Sequence, residues 1–333
     1  MIIRVDPSFD PLYSFYYLEG AGMLPDVRII YDPKPFRAFK HTRDYMAMTF
    51  EGVGKEVRKV IIDFGDTRTF RKQVYDWADV YAKVNLTPED FDMYGKMLPI
   101  GPASLGIRRL PKWIIPFLAL RNFLAAGSRI PSVAEYFSSY KASLRRLKYD
   151  GYREAQASKP DYVHFVSTLW KDDRVANNYR VHFMDAVKRV DGLNFEGGFA
   201  PRADGLHFEY DAYIGLPFES LETYREKIGR SFVVFNTPAV KQCHGWKLPE
   251  FMAWGKAIIS TAPVRMFPKP LVDGEHWLLT DGSMEDIEAK IRLLQSDPEL
   301  HARLEKNARA YFDQYLSPNA VMKRIIERAG SAL

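Results

Sequence analysis

The sequence predicts an α/β chain of two domains, and three observations carry that expectation. Short apolar runs such as Ile2–Val5, Lys59–Asp63 and Tyr162–Val166 alternate with polar loops and with stretches of helical period. The 333 residues, 47% of them hydrophobic, suffice for two medium cores. A polar segment, residues 139–160, ends in Lys159-Pro160 before a new apolar run and divides the chain into a first domain, 1–150, and a second, 155–316.

Ile2–Val5 reads as the first strand, Leu12–Gly20 as an aromatic helix and Val27–Tyr31 as the next strand. Asp6 and Asp10 lie between the first strand and that helix, where a parallel sheet places catalytic groups and where an Asp also serves as a helix cap. Lys59–Asp63 is followed by the polar residues 64–68, an amphipathic stretch with Phe70, Val74 and Trp77, and a strand over Val80–Val84. Asp63 and Asp66 thereby reach a sheet edge where a carboxylate could act as base toward a hydroxyl, with loop and cap chemistry as the other reading. Asp90-Phe91-Asp92 has the spacing of a metal-binding acid pair. Thr87, Pro88 and Asp90, however, read as N-cap, N1 and N3 of a helix. No His and carboxylate cluster points to a metal elsewhere, so neither metal nor other cofactor is expected.

A Gly and Pro loop after Leu98 leads into the apolar segment Trp113–Phe123, flanked by Arg108, Arg109, Lys112 and Arg121. Its apolarity and Pro116 fit a buried helix, while the same basic and aromatic make-up fits a helix lying in a membrane interface. Residues 108–123 are therefore a candidate peripheral membrane contact.

The second domain opens on the strand Tyr162–Val166, the loop Ser167–Lys171 and a helix with Val181, Met184 and Val187 on one face; Lys171, Arg174 and Arg180 cluster at or just after that loop. Phe195–Phe199, FEGGF, reads as a strand and turn whose glycines permit close backbone approach. From Gly229 to Thr261 the order is strand, loop, short helix, strand. The loop carries Gln242, His244, Gly245, Trp246 and Lys247, and Glu250 stands in the helix's first turn. Ligands of parallel α/β sheets sit outside the carboxyl ends of strands, where such loops lie. Asp273-Gly274 marks a turn before His276. Ser283 caps a helix striped by Met284, Ile287, Ile291 and Leu294, Asp297-Pro298 opens another, and Ser317-Pro318 a last one.

Composition narrows the function classes. Cys243 is the lone cysteine, which rules out a disulfide framework and fits a reducing cytoplasm. The N-terminal residues show no basic stretch followed by an apolar run, and no apolar run approaches the roughly 18 residues of a spanning helix. The net charge of +5 suits a phosphate-bearing ligand or an anionic surface. No zinc finger, RNA-binding aromatic signature or long basic run points to nucleic acid.

The stretch from Val240 to Ser260 resembles the donor-binding motif of GT-B glycosyltransferases, the group 1 type of capsule and lipopolysaccharide assembly. Glu250, Phe251, Met252, Ala253 and Gly255 match its second half, whereas its first Glu falls on Gln242. The resemblance implies two Rossmann-like domains facing across a cleft, the first for an acceptor, the second for a nucleotide sugar, with a C-terminal helix, 317–333, crossing back to the first. It also implies that Glu250 holds the ribose hydroxyls, that the loop from Gln242 through His244, Gly245, Trp246 and Lys247 faces the sugar, and that Ser167, Lys171 and Arg174 hold the diphosphate, with His276 beside the donor. An acceptor hydroxyl of a glycan or lipid-linked glycan would then displace a nucleoside diphosphate without a metal, the base remaining open among Asp6, Asp10, Asp63 and Asp66. Against this, Glu250 would merely complement a helix dipole, worth about 0.3–1 kcal/mol, and Lys171 and Arg174 would be a solvated helix start. Other readings are a sugar-nucleotide epimerase of the same fold, a nucleic-acid-binding or DNA-glycosylating protein, and a silent scaffold in which Gln242 has replaced the acid. The lone cysteine and residues 108–123 lead to an expected place in the cytoplasm, including the inner face of the membrane.

Overall fold

The computed structural model describes residues 1–40, 42–52, 56–102, 106–154, 156–215 and 219–331; the middle of the Gly and Pro loop, 103–105, and the end of the last predicted helix, 332–333, lie outside them. The chain forms two units. One comprises Met1–Gly151, Arg265–Lys269 and Asp313–Leu333, the other Tyr152–Val264 and Pro270–Phe312.

The first unit is built on a six-stranded sheet of order β2-β1-β3-β4-β5-β6, with β1 Ile2–Val5, β2 Arg28–Tyr31, β3 Tyr45–Glu51, β4 Arg58–Asp63, β5 Val80–Lys83 and β6 Met97–Pro99. Neighbours pair in parallel except at β3, which runs antiparallel to both β1 and β4. The sequence reading omits β3. Its Tyr45, Met46, Ala47, Met48 and Phe50 are all buried, so the run lacks alternation, and methionine and alanine give weak strand signals. Helix α1 (Pro11–Gly22) starts where the Asp10 carboxylate accepts the Leu12 N–H at 2.8 Å. The short helices α2 (Lys72–Trp77) and α3 (Pro88–Met93) follow β4 and β5, and Thr87 caps α3 as predicted, accepting the Asp90 N–H at 3.2 Å.

Helices α4 (Ile114–Ala126) and α5 (Val133–Ser143) close the apolar part of this unit. Pro116 falls in the first turn of α4, where its missing N–H breaks no helical bond. Burial of α4 is one-sided, which departs from the buried-helix expectation: Ile115, Leu118, Ala119, Asn122 and Ala126 face inward, while Phe117, Leu120 and Leu124 do not. A single turn, α6 (Asp150–Arg153), ends the segment.

In the second unit, β7 (Tyr162–Thr168) pairs in parallel with β8 (Asn194–Ala200) across the helix α7 (Arg174–Arg189). Gly197 permits that pairing, because at its φ of 138° a Cβ would lie 1.8 Å from the Phe165 carbonyl oxygen. After α8 (Leu221–Arg230) come β9 (Val234–Asn236), α9 (Lys247–Ala253), β10 (Ile258–Thr261) and β11 (Leu278–Thr280), with β9 and β11 parallel to β10 on either side. The Phe232 N–H donates to the Tyr162 carbonyl at 2.7 Å and ties the two ladders together. Helices α10 (Met284–Ser296) and α11 (Pro298–Tyr311) cover them, capped by Ser283 and Asp297. Val163, Phe165, Phe183, Phe235, Ile259, Ile291 and Leu304 form the core between strands and helices.

The last helix, α12 (Pro318–Ser331), belongs to the first unit. It lies so close to α1 that a Cβ on Gly20 would stand 2.0 Å from the Pro318 carbonyl oxygen. The Tyr16 hydroxyl donates to the Leu316 carbonyl at the same contact.

Candidate functional site

A pocket of about 240 Å³ opens at the carboxyl ends of β7 and β9 in the second unit. β7 supplies Phe165, Ser167 and Thr168, and the chain beyond it Trp170; β9 and its loop supply Phe235, Asn236, Thr237 and Ala239. Gly245, Trp246 and Lys247 lead into α9, and Arg180 reaches in from α7. The site thus lies where strands of a parallel sheet end and loops begin. The Ala239 N–H donates to the Cys243 carbonyl at 2.9 Å and closes the loop over Lys241 and Gln242, both at φ 58°. Two successive side-chain-bearing residues in the left-handed region store strain on the order of 1–2 kcal/mol each.

Two cations meet at the pocket. Arg180 is 5% exposed and donates to the Thr168 carbonyl at 2.9 Å; burial lowers its pKa to about 10, with Asp173 opposing. For Lys247, desolvation lowers the pKa to about 8, the charge of Arg180 adds to the fall, and Glu250 opposes it. Its ammonium lies 5.4 Å from the Tyr224 ring centre and 5.9 Å from that of Phe165, positions at which ring faces attract a cation. Glu250 is buried three residues further along α9 and accepts the Tyr224 O–H at 3.4 Å. Burial pushes that tyrosine well above its usual pKa, so it serves as a neutral donor. The Asn236 amide is held by the Ser260 hydroxyl at 2.9 Å. Two positive charges within apolar and aromatic walls, with Ser167 and Asn236 beside them, make a site for an anion attached to a larger organic group.

Of the residues proposed from sequence, the structure gathers Ser167, Gly245, Trp246 and Lys247 around the pocket and sets Glu250 behind Lys247 through Tyr224. His244 is buried next to the lining, and Gln242 is exposed on the strained loop. Lys171 is exposed, and Arg174 is 78% exposed and paired with Glu209 at 3.1 Å, so neither lines the pocket. Arg180 stands there instead. Its signal was present: Ala176, Asn177, Arg180, Phe183, Met184 and Val187 form the buried face of α7, and a cation on the apolar stripe of an amphipathic helix needs a partner or a ligand. His276 also lies outside the lining, its Nδ1 accepting the Val272 N–H at 3.1 Å and its ring edge-on to Tyr311.

The candidate bases Asp6, Asp10 and Asp63 each hold structural partners. Asp6 accepts from the Ser8 N–H at 3.1 Å and from the Arg129 guanidinium at 2.9 Å. Asp10, fully buried, takes the Leu12 N–H, Arg43 and the Ser139 hydroxyl. Asp63 accepts from the Tyr81 hydroxyl at 2.6 Å, from Lys83 at 2.9 Å and from the Gly65 N–H at 2.9 Å. Asp66 alone of the four is exposed. Among the described residues no three His, Cys, Asp or Glu side chains could hold a metal together, and no helix is long and apolar enough to cross a membrane.

Residues 234–311, from β9 through α11, match the family model described as glycosyl transferases group 1. No curated protein matches the sequence. Among solved structures, the chain is similar to TarM at 13% identity and a TM-score of 0.40, covering 53% of this chain and 37% of the TarM chain. A glycosyltransferase from Rickettsia africae is 10% identical with a TM-score of 0.46, covering 81% of this chain and 70% of its own. Anabaena Alr3699/HepE, solved in complex with UDP, is 13% identical with a TM-score of 0.43, covering 81% and 78%.

Proposed function

We propose that the protein is a glycosyltransferase whose second unit binds a nucleotide sugar. The observation that carries this reading is the meeting of Arg180 and Lys247 in a pocket whose closing loop and helix fall within the group 1 match. Loss of a nucleoside diphosphate from the anomeric carbon places growing negative charge on the phosphate oxygens, and fixed cations in a partly dry site stabilise it most as it grows. Arg180 and Lys247 are those cations, with the Ser167 hydroxyl as a further donor. Trp170 and Trp246 wall the donor, while Glu250, behind the lining, accepts from Tyr224 and holds Lys247 in its charged form. The acceptor hydroxyl attacks the anomeric carbon, the carbon–oxygen bond to the diphosphate breaks, and the hydroxyl proton passes to a base. Asp66, exposed beyond the end of β4, is the candidate for that base. Two side-chain cations can do the charge balancing that a metal does in other transferases, so the reaction is read as metal-independent. The acceptor is read as a glycan or lipid-linked glycan of cell-surface polysaccharide assembly, and the compartment as the cytoplasm.

The test is a melting screen of the full chain with UDP, GDP, CMP and dTDP and their sugars. A nucleotide at a hundred times its Kd should stabilise the native state by about 2.7 kcal/mol and raise the melting temperature by several degrees. Lys247→Ala and Glu250→Ala should abolish that rise, whereas absence of any rise in the unmodified chain overturns the reading.

A further inference from the structure

Helix α4 turns a continuous apolar stripe to solvent. Trp113, just before it, is 70% exposed, Phe117 70%, Leu120 52% and Leu124 71%. At about 100° per residue these four fall within a sector of roughly 60°, opposite the inward face of Ile115, Leu118, Ala119, Asn122 and Ala126. The stripe runs for roughly 16 Å along the helix. Side chains of this size, exposed in one row, mark a surface that another body covers.

The charges around the stripe say what that body is. From Met93 to Ala134 there is no Asp or Glu, while Lys96, Arg108, Arg109, Lys112, Arg121 and Arg129 are present. Arg109 and Arg129 are used internally, on Glu19 and Asp6. Lys112 at the start of the helix and Arg121 on its flank, the latter with its guanidinium 5.4 Å from the Tyr31 ring centre, are exposed. A helix with Trp, Phe and Leu on its outer face and Lys and Arg at its margins is suited to lie in the headgroup layer of an anionic bilayer, its rings at the boundary with the acyl chains. A second copy of the same face would bring like cations together, and α4 itself carries no carboxylate to meet them.

We propose that α4 docks the protein on an anionic lipid bilayer, with Trp113, Phe117, Leu120 and Leu124 inserted among the headgroups and Lys112 and Arg121 against lipid phosphates. This surface lies wholly within the first unit and does not rest on the reading of the nucleotide pocket.

The test is co-sedimentation of the full chain with vesicles of phosphatidylcholine alone and of phosphatidylcholine with phosphatidylglycerol, without nucleotide. The expected result is binding to the anionic vesicles at least tenfold tighter than to the neutral ones and weakened by salt. Phe117→Ser with Leu124→Ser should lower it at least tenfold with an unchanged melting temperature, because both side chains are exposed. Lys112→Glu with Arg121→Glu, which leaves the apolar row intact, should erase the preference for anionic lipid. Failure of the unmodified chain to bind, equal binding by the Phe117 and Leu124 double variant, or a dimer in solution that this double variant abolishes and vesicles do not compete with, would each overturn the proposal. The melting screen with nucleotides on the same protein reports separately on the pocket.

Discussion

Lys247 shows how a residue can be held at a cost to the fold. Its pKa of about 8 in the native state lies below that of a solvated lysine, so between those values the unfolded chain binds more protons than the folded one. Stability therefore rises with pH through that window, and the penalty of desolvating the charge is present in full below about pH 8. Replacing Lys247 by Met should raise the melting temperature at pH 7, have little effect on it above pH 10, and weaken nucleotide diphosphate binding at least tenfold. Calorimetric titrations should also show wild-type affinity for a nucleoside diphosphate falling as pH passes from 7 to 9.5, with a nearly flat profile for Lys247→Met. Opposite signs for the stability effect, or a sloping profile in the variant, would remove Lys247 from the phosphate site. At this scale the sequence marked Gly245, Lys247 and Glu250 because they stand at fixed offsets on one loop and one turn. Arg180 was harder to see. Its place depends on which side of α7 faces the strand ends, and Lys171 and Arg174 lie nearer in sequence to the strand than Arg180 does but point to solvent.

Among the elements, those with local signals were legible. Thr87, Ser283 and Asp297 cap the helices that their spacing announces, since a cap is an interaction over three residues. β3 was not legible. Its fully buried run offers no alternation to read, and of its two partners β1 lies far away in sequence. α4 was legible as an apolar helix, but which of its two apolar faces turns inward is decided by α5, whose Tyr140 hydroxyl accepts from Asn122 at 3.2 Å. The contact of α1 with α12 is equally invisible in sequence, because only the approach of a distant backbone makes Gly20 necessary. Gly20→Ala should destabilise the first unit by more than about 3 kcal/mol, since the added methyl meets a backbone carbonyl that cannot move aside; helix propensity alone would favour the alanine by about 1 kcal/mol. Chemical denaturation of the variant measures the difference, and a stabilised variant would mean that the two helices are further apart.

In the molecule as a whole, the alternation of strands and helices announced the α/β class and the polar segment after residue 139 announced a break. The chain also revisits the first unit twice, at Arg265–Lys269 and from Asp313 onward, and local pattern does not record such returns. A chain ending at Phe312 would keep every strand of both units and lose α12, stripping cover from Tyr16 and Gly20 of α1. Such a chain should bind an exposed-surface dye such as ANS and lose the cooperative melting of the first unit; an unaltered melt would show α12 to be dispensable.

The seat of α12 on α1 also sets an order of events during synthesis. As the ribosome delivers the chain, the second unit is complete once Phe312 has emerged, whereas the sheet begun by Ile2 waits, its aromatic flank uncovered, for a helix made some three hundred residues later. The first unit to be translated is thus the last to be finished, and through that interval its nascent surface is what chaperones would meet.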